Sequence, residues 1–274
     1  RVLAITGQIP STSINKGFGM LHEIPEQLEV MKGLTKHSAR INHPTEAPQK
    51  ISEAFRQLRS GRPRPVGLEM PMDIMWKKSE VTLGSRTSGC PAPLPDPDLV
   101  EKAAKILGES QQPMIFVGGG AYEACQEIKT LAETVQAPVI SYQNGRGILD
   151  ERHYLAHTNT AGAILWKNCD AAISIGCRMQ AERMSWGMDD ALKIIHVDID
   201  PTEINRIMKP DVGLVSDAAF TTRKIIDALN KYNLKRTSRE EEMLNLKAQA
   251  EMLMEEKAGP QMGWLRAIRD VLPD

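Results

Sequence analysis

The sequence predicts an α/β protein whose main part is a doubly wound, Rossmann-like parallel sheet, preceded by part of a second α/β domain. Three observations predict it. Apolar runs recur at 114–117, Val139–Ser141, 171–176, 194–199 and Val212–Val215. Stretches at helical spacing separate most of them, such as Ala124, Ile128, Leu131, Ala132 and Val135. Continuous apolar strands alternating with helices imply a sheet covered on both faces. Between Lys77 and Pro95 the pattern lapses into Ser, Thr, Gly and Pro, which reads as a linker between this region and an earlier one.

The elements follow in chain order. Residues 2–6 read as a buried strand that starts without a cap or turn, as if cut from a longer chain, and Gly7-Gln8-Ile9-Pro10 as a turn. Thr45 is placed to cap a helix on which Ile51, Ala54, Phe55 and Leu58 share a face. Residues 66–70 form a second apolar strand that Pro71 closes, because proline cannot donate to a ladder. After the linker, Asp96 caps a helix with Pro97 at its first position and Leu99, Ala103, Ile106 and Leu107 on one face. Beyond Asn233 the chain turns rich in Glu, Lys, Met and Leu. Ser238 with Glu241 fits a capping box, and Trp264, Ile268, Val271 and Leu272 form a last apolar stripe that needs a covering surface. The expected organisation is a partial domain at 1–76, a linker at 77–95, a nucleotide-binding-like domain at 96–233 and a helical connection at 234–274.

Composition narrows the function. Lys and Arg number 34 against 35 Asp and Glu, so no broad basic field is available for nucleic acid or an anionic membrane. No run approaches the length of a bilayer span and the first residues lack a signal-peptide layout, so a cytoplasmic protein is expected. Cys90, Cys125, Cys169 and Cys177 are scattered without zinc-knuckle or dithiol spacing and read as reduced structural thiols.

Several residues can carry chemistry. Gly118, Gly119 and Gly120 follow a strand and precede a helix, where bare backbone amides can meet a diphosphate. The strict dinucleotide fingerprint wants a further glycine where Glu123 stands, and a tight strand-to-helix turn explains the three equally well. Asp198 and Asp200 end a strand at the sheet's ligand-binding edge. Asp198 is the candidate for a ribose hydroxyl, whereas Asp200 caps the helix begun by Pro201. Arg178, after Gly176 and Cys177, could meet a phosphate, stack on a flat ring or form a surface ion pair. His153 and His157 fall in a loop, and capping alone explains Asp217. No nucleophile elbow, Walker loop or kinase signature occurs.

Ile5-Thr6-Gly7-Gln8-Ile9-Pro10, Leu34-Thr35-Lys36-His37 and Ser60-Gly61-Arg62-Pro63-Arg64-Pro65-Val66, with Glu69, Pro71 and Asp73, resemble the later half of the pyrimidine-binding domain in a known family, the thiamine-diphosphate enzymes of the acetolactate synthase and benzoylformate decarboxylase type. Residues 113–218 resemble its central domain, and 264–274 the lead-in to its diphosphate-binding domain. The resemblance implies decarboxylation and carboligation of 2-keto acids, with thiamine diphosphate and Mg²⁺, in a homodimer or homotetramer. It also implies that the family's cofactor-activating glutamate lies upstream of Arg1, and no Gly-Asp-Gly metal motif occurs in this sequence. The chain is therefore expected to be an interior piece, catalytically silent alone, with no catalytic or metal residue of its own.

The same resemblance places Gly118, Gly119, Gly120, Ser141, Tyr142, His157, Gly176, Arg178, Asp198, Asp217 and Ala218 where flavin contacts lie in the family. Two departures count against FAD. Met179-Gln180-Ala181-Glu182-Arg183 stands where flavin-binding members show Phe-Asp and a further Arg, and Ala156-His157-Thr158 where they have Met-His-Gly. FAD, an ADP-like ligand and an empty pocket all stay open. Leu21-His22-Glu23 resembles a stretch near the family's reaction centre with spacing that differs by one residue, which leaves the acyl substrate open. An alternative of another class is a non-catalytic module that binds FAD, ADP or NAD, or serves assembly. A sirtuin-like deacylase would need paired zinc cysteines, which are missing.

Overall fold

The computed structural model describes residues 1–84, 88–187 and 191–272. The chain divides into two compact units, Arg1–Ala92 and Pro93–Asp274.

The first unit holds β1 (Leu3–Gln8), α1 (Gln27–Leu34), β2 (His37–Arg40), α2 (Ala47–Arg59), β3 (Val66–Pro71) and α3 (Met72–Trp76). Its three strands are parallel in the order β1-β3-β2. Ala54, Leu58, Val66 and Leu68 form the core where α2 lies on β3. The central strand buries its own charge: Glu69 receives the Arg40 guanidinium and accepts from Gln27 Nε2 at 2.9 Å. A buried carboxylate demands such partners. β1 departs from the expected buried strand and from the expected turn at Gly7. It runs on to Gln8, and Ile5 is 71% exposed, because β3 covers one edge of it and no described element covers Ile5's face. Thr45 does not cap α2 either; it sits inside a short 3-10 turn whose cap is His43.

The second unit contains α4 (Pro97–Glu109), β4 (Pro113–Val117), α5 (Cys125–Val135), β5 (Val139–Ser141), β6 (Ala156–His157), α6 (Asn159–Leu165), β7 (Ala171–Ile175), β8 (Lys193–Asp198), α7 (Pro201–Ile204), β9 (Val212–Val215), α8 (Ala218–Leu229) and α9 (Glu240–Val271). Six parallel strands run in the order β6-β5-β4-β7-β8-β9. This is the Rossmann-like double winding, in which strand order reverses once, between β4 and β7. Pleating sends Ile115, Val117, Ile173, Ile175, Ile195 and Val197 to one face with α4, α5 and α8. Met114, Phe116, Ile140, Ala172 and Ile194 go to the other, against Trp166, Met179 and Trp186. Phe116, Trp166 and Trp186 pack edge-on or tilted, with ring centres 5.7 to 6.4 Å apart.

Asp96 caps α4 through the Asp98 amide at 2.9 Å. Two expectations at the carboxyl end are corrected. The Ser238–Glu241 capping box does not form, because the helix begins only at Glu240 and Ser238 Oγ meets that residue's amide at 3.2 Å. α9 instead seats Met243, Leu246 and Ala250 on the core of its unit. Past a break in helical geometry at Ala258, two residues before Pro260, its end leaves Trp264 76% and Val271 80% exposed. No helix among the described residues is long and apolar enough to cross a membrane.

Candidate functional site

Open α/β sheets bind ligands at the carboxyl ends of their strands, where the order reverses. Here that crevice lies between Val117 and Ile175, which are register partners on β4 and β7. Gly118, Gly119 and Gly120 leave one strand, and Gly176, Cys177 and Arg178 leave the other. The two loops touch backbone to backbone. Gly176 sits at φ +61°, and a Cβ there would lie 2.4 Å from the Gly120 carbonyl carbon, so glycine is demanded twice over. The Gly118 amide donates to the Ile175 carbonyl at 3.4 Å and the Gly120 amide to the Gly176 carbonyl at 3.2 Å.

β5 closes on the same point. The Tyr142 amide donates to the Val117 carbonyl at 3.1 Å, and a Cβ on Gly145 would lie 2.4 Å from that oxygen. The Tyr142 hydroxyl donates to the carboxyl of Glu182, which is wholly buried in the π-helical turn Glu182–Trp186 after β7. Burial pushes the Glu182 carboxyl above the usual carboxylate range and the Tyr142 hydroxyl up as well. Burial likewise pushes the Cys177 thiol up to about 12, so it stays a neutral thiol at ordinary pH. Ser141, the last residue of β5 and the register partner of Val117, is buried.

The remaining expected residues spread along the carboxyl edge. Arg178 pairs with buried Glu203 at 2.5 and 3.1 Å, and Glu203 also receives Arg206 at 2.5 Å. Asp198 accepts the Asp200 amide at 2.9 Å, which shapes the turn into α7, and Asp200 caps that helix through the Thr202 amide at 3.0 Å. Asp217 caps α8 through the Phe220 amide at 2.8 Å, with Ala218 as its first helical residue. His157 is not a loop residue: it lies on β6, two strands from the crevice, so roughly 10 Å of sheet separate them. It is 3% exposed, neither ring nitrogen makes an ordinary hydrogen bond, and burial lowers its pKa to about 4.

Glycines 118–120 and 176, with Ser141, Tyr142 and Arg178, are thus brought together at the reversal point, while Asp198, Asp217, Ala218 and His157 lie along the edges. Sequence reading missed Glu182, Arg183, His196 and Glu203, all buried. Glu182 and Arg183 alone of these carried a signal, since both fall in a segment that departs from the resembled pattern. Among the described residues no group of three His, Cys, Asp or Glu side chains is placed to hold a metal ion.

Residues 100–229 match the thiamine pyrophosphate enzyme family, central domain. The chain is 33% identical over 253 residues to a probable acetolactate synthase large subunit of Methanocaldococcus jannaschii, covering 85% of this chain and 42% of that protein. It is 30% identical over 249 residues to the acetolactate synthase large subunit of Corynebacterium glutamicum, at 82% and 38% coverage. It is 29% identical over 236 residues to acetolactate synthase isozyme 1 large subunit of Escherichia coli, at 82% and 41%. The chain spans about two fifths of the length of these relatives.

Proposed function

The chain belongs to the thiamine pyrophosphate enzymes of the acetolactate synthase type, and from that premise we propose that it serves in a decarboxylase and carboligase of 2-keto acids as scaffold rather than as reacting centre. One observation carries the reading: the six-stranded 3-2-1-4-5-6 sheet occupies the residues that the central-domain match spans. Residues 1–76 are assigned to the pyrimidine-binding domain and 234–274 to a connection toward a diphosphate-binding domain. Thiamine diphosphate, held with Mg²⁺, supplies the nucleophilic carbon in such chemistry. The residues here do not fit that pair: the sequence has no Gly-Asp-Gly, and no three-ligand cluster occurs among the described residues. We assign the chain's own residues a positioning role, in a cytoplasmic assembly with further copies of itself.

The test uses pyruvate, thiamine diphosphate and Mg²⁺ on the 274-residue chain and on the longest reading frame containing it. The chain alone should release no carbon dioxide above the cofactor blank, and the longer product should decarboxylate pyruvate. Activity of the chain alone, or a longer product that neither binds thiamine diphosphate nor acts on any 2-keto acid, overturns the proposal. In the second case a non-catalytic assembly module takes its place.

A further inference from the structure

At the reversal point of the central sheet the chain bridges its own strands. β5 and β7 both pair with β4, so a link from the residue after β5 to the turn after β7 crosses β4, and it does so on the Phe116 face, where Tyr142 and Trp186 pack. The Tyr142–Glu182 hydrogen bond is that link. Its seat is firm, because Trp186, at the end of the same turn, packs against Phe116 and Trp166, and Trp166 Nε1 donates to the Gly187 carbonyl at 2.7 Å.

We infer that this latch makes the central unit a self-filled fold that takes no diphosphate-bearing nucleotide, FAD and ADP included. Three further observations support it. The Gly118 and Gly120 amides are engaged by carbonyls of β7 and its turn, so neither is left to cradle a diphosphate, and the glycines are explained by the close approach of two backbones. A short 3-10 turn, Gly119–Ala124, takes up the glycines, the α-helix behind it, α5, starts only five residues after Gly120, and Glu127 in its first turn is paired with Arg223 at 2.5 Å. The guanidinium after β7 is held by Glu203. The buried Glu182 carboxyl next to this point, with one oxygen that no donor reaches, adds an acceptor where an anionic ligand would need donors. The inference rests on the sheet's own geometry and stands whatever reaction the chain serves.

The experiment purifies the full chain with FAD present throughout, then removes free ligand and records the flavin absorbance bands. Titration with FAD by fluorescence and with ADP by calorimetry follows, together with amide exchange over 177–187 in the wild type, Tyr142→Phe, Glu182→Gln and Glu182→Ala. No retained flavin, and no saturable binding of either nucleotide up to about 1 mM, is expected. Amide protection over 177–187 should fall about tenfold in Glu182→Ala and remain near wild type in Glu182→Gln, which still accepts from Tyr142. Retained flavin, saturable binding of FAD or ADP, or unchanged protection in Glu182→Ala would overturn the inference. Should Glu182→Ala fail to fold, the wild-type titrations and Tyr142→Phe still decide it, because that variant removes the donor and should lower protection over 177–187 likewise, and unchanged protection in it would overturn the inference. None of these readouts uses thiamine diphosphate, so failure here is separate from failure of the proposed enzymatic role.

Discussion

The described residues hold two parallel sheets, and each contains a strand that reads as apolar in sequence, β1 in one and β4 in the other, yet the two strands differ in what covers them. β4 is buried along its whole length, with β5 and β7 on its edges and side chains packed on both faces. Among the described residues β1 pairs with β3 alone and leaves Ile5 exposed. An apolar strand therefore does not state its own burial; its neighbours in the sheet do. The contrast predicts the largest difference in mutational cost. Phe116→Ala should cost about 3–5 kcal/mol, because it opens a cavity among interlocked rings. Ile5→Ala should cost less than about 0.5 kcal/mol. Urea melts, with amide exchange read separately from peptides of the two units, check both. An Ile5→Ala loss as large as that of Phe116→Ala would mean that another surface covers β1.

The same contrast explains what was legible in the sequence. Five of the six strands of the second unit stood out, because a strand covered on both faces must be apolar throughout. β6 did not, since two residues carry no periodicity, and β2 did not, since His37-Ser38-Ala39-Arg40 is polar. The glycines of the crevice were visible, but their reason was not. Gly118, Gly120 and Gly176 touch one another only once strand order has set β4 beside β7. Glu182 and Glu203 became buried partners of Tyr142 and Arg178 through tertiary contact between residues 25 or 40 positions apart, which no local spacing encodes. The exposed stripe at Trp264 shows the converse: helical periodicity is legible, but its covering surface is not.

A pH series sharpens the comparison next. His157 lies buried at the edge of the larger sheet, with a pKa lowered from 6.5 to about 4 by burial first and by Lys247 second. A depressed histidine takes its proton more readily in the unfolded chain, so its contribution is complete above about pH 6.5 and is lost as pH falls through about 4. The loss for this one group should reach about 3 kcal/mol. Buried His196 shifts in the same direction and adds to it. Protection of the second unit should therefore fall between pH 6.5 and 4, and His157→Gln should flatten part of that slope. An unchanged slope in the variant would show that His157 is not the group that titrates.

Two glycines with left-handed backbones, one in each unit, form a matched pair. Gly61 has φ +52° and open space around it, whereas Gly176 has φ +61° with the Gly120 backbone against it. Gly61→Ala should cost about 1 kcal/mol from backbone strain alone. Gly176→Ala should cost about 3 kcal/mol, because the strain is joined by overpacking that backbone atoms cannot relieve. Thermal melts that found the two equal would remove the close approach of the two loops as the reason for Gly176.

The smallest expected effect is at the helix starts. α8 is capped by Asp217, whose carboxylate accepts the Phe220 amide, while Glu46, which precedes α2, makes no cap bond to its helix. Capping satisfies an amide that the first helical turn leaves without a partner, so Asp217→Ala should destabilise the second unit by about 1 kcal/mol, and Asp217→Asn should restore most of it. Glu46→Gln should leave α2's amide protection where it was, because its carboxylate serves Lys50 at 2.8 Å and the Asn42 amide at 3.0 Å instead. If Asp217→Asn were as costly as Asp217→Ala, the side chain's charge would be what matters at that position. The cap would then be electrostatic in origin, and the carboxyl edge of the larger sheet would owe its order to the field around α8 rather than to one hydrogen bond.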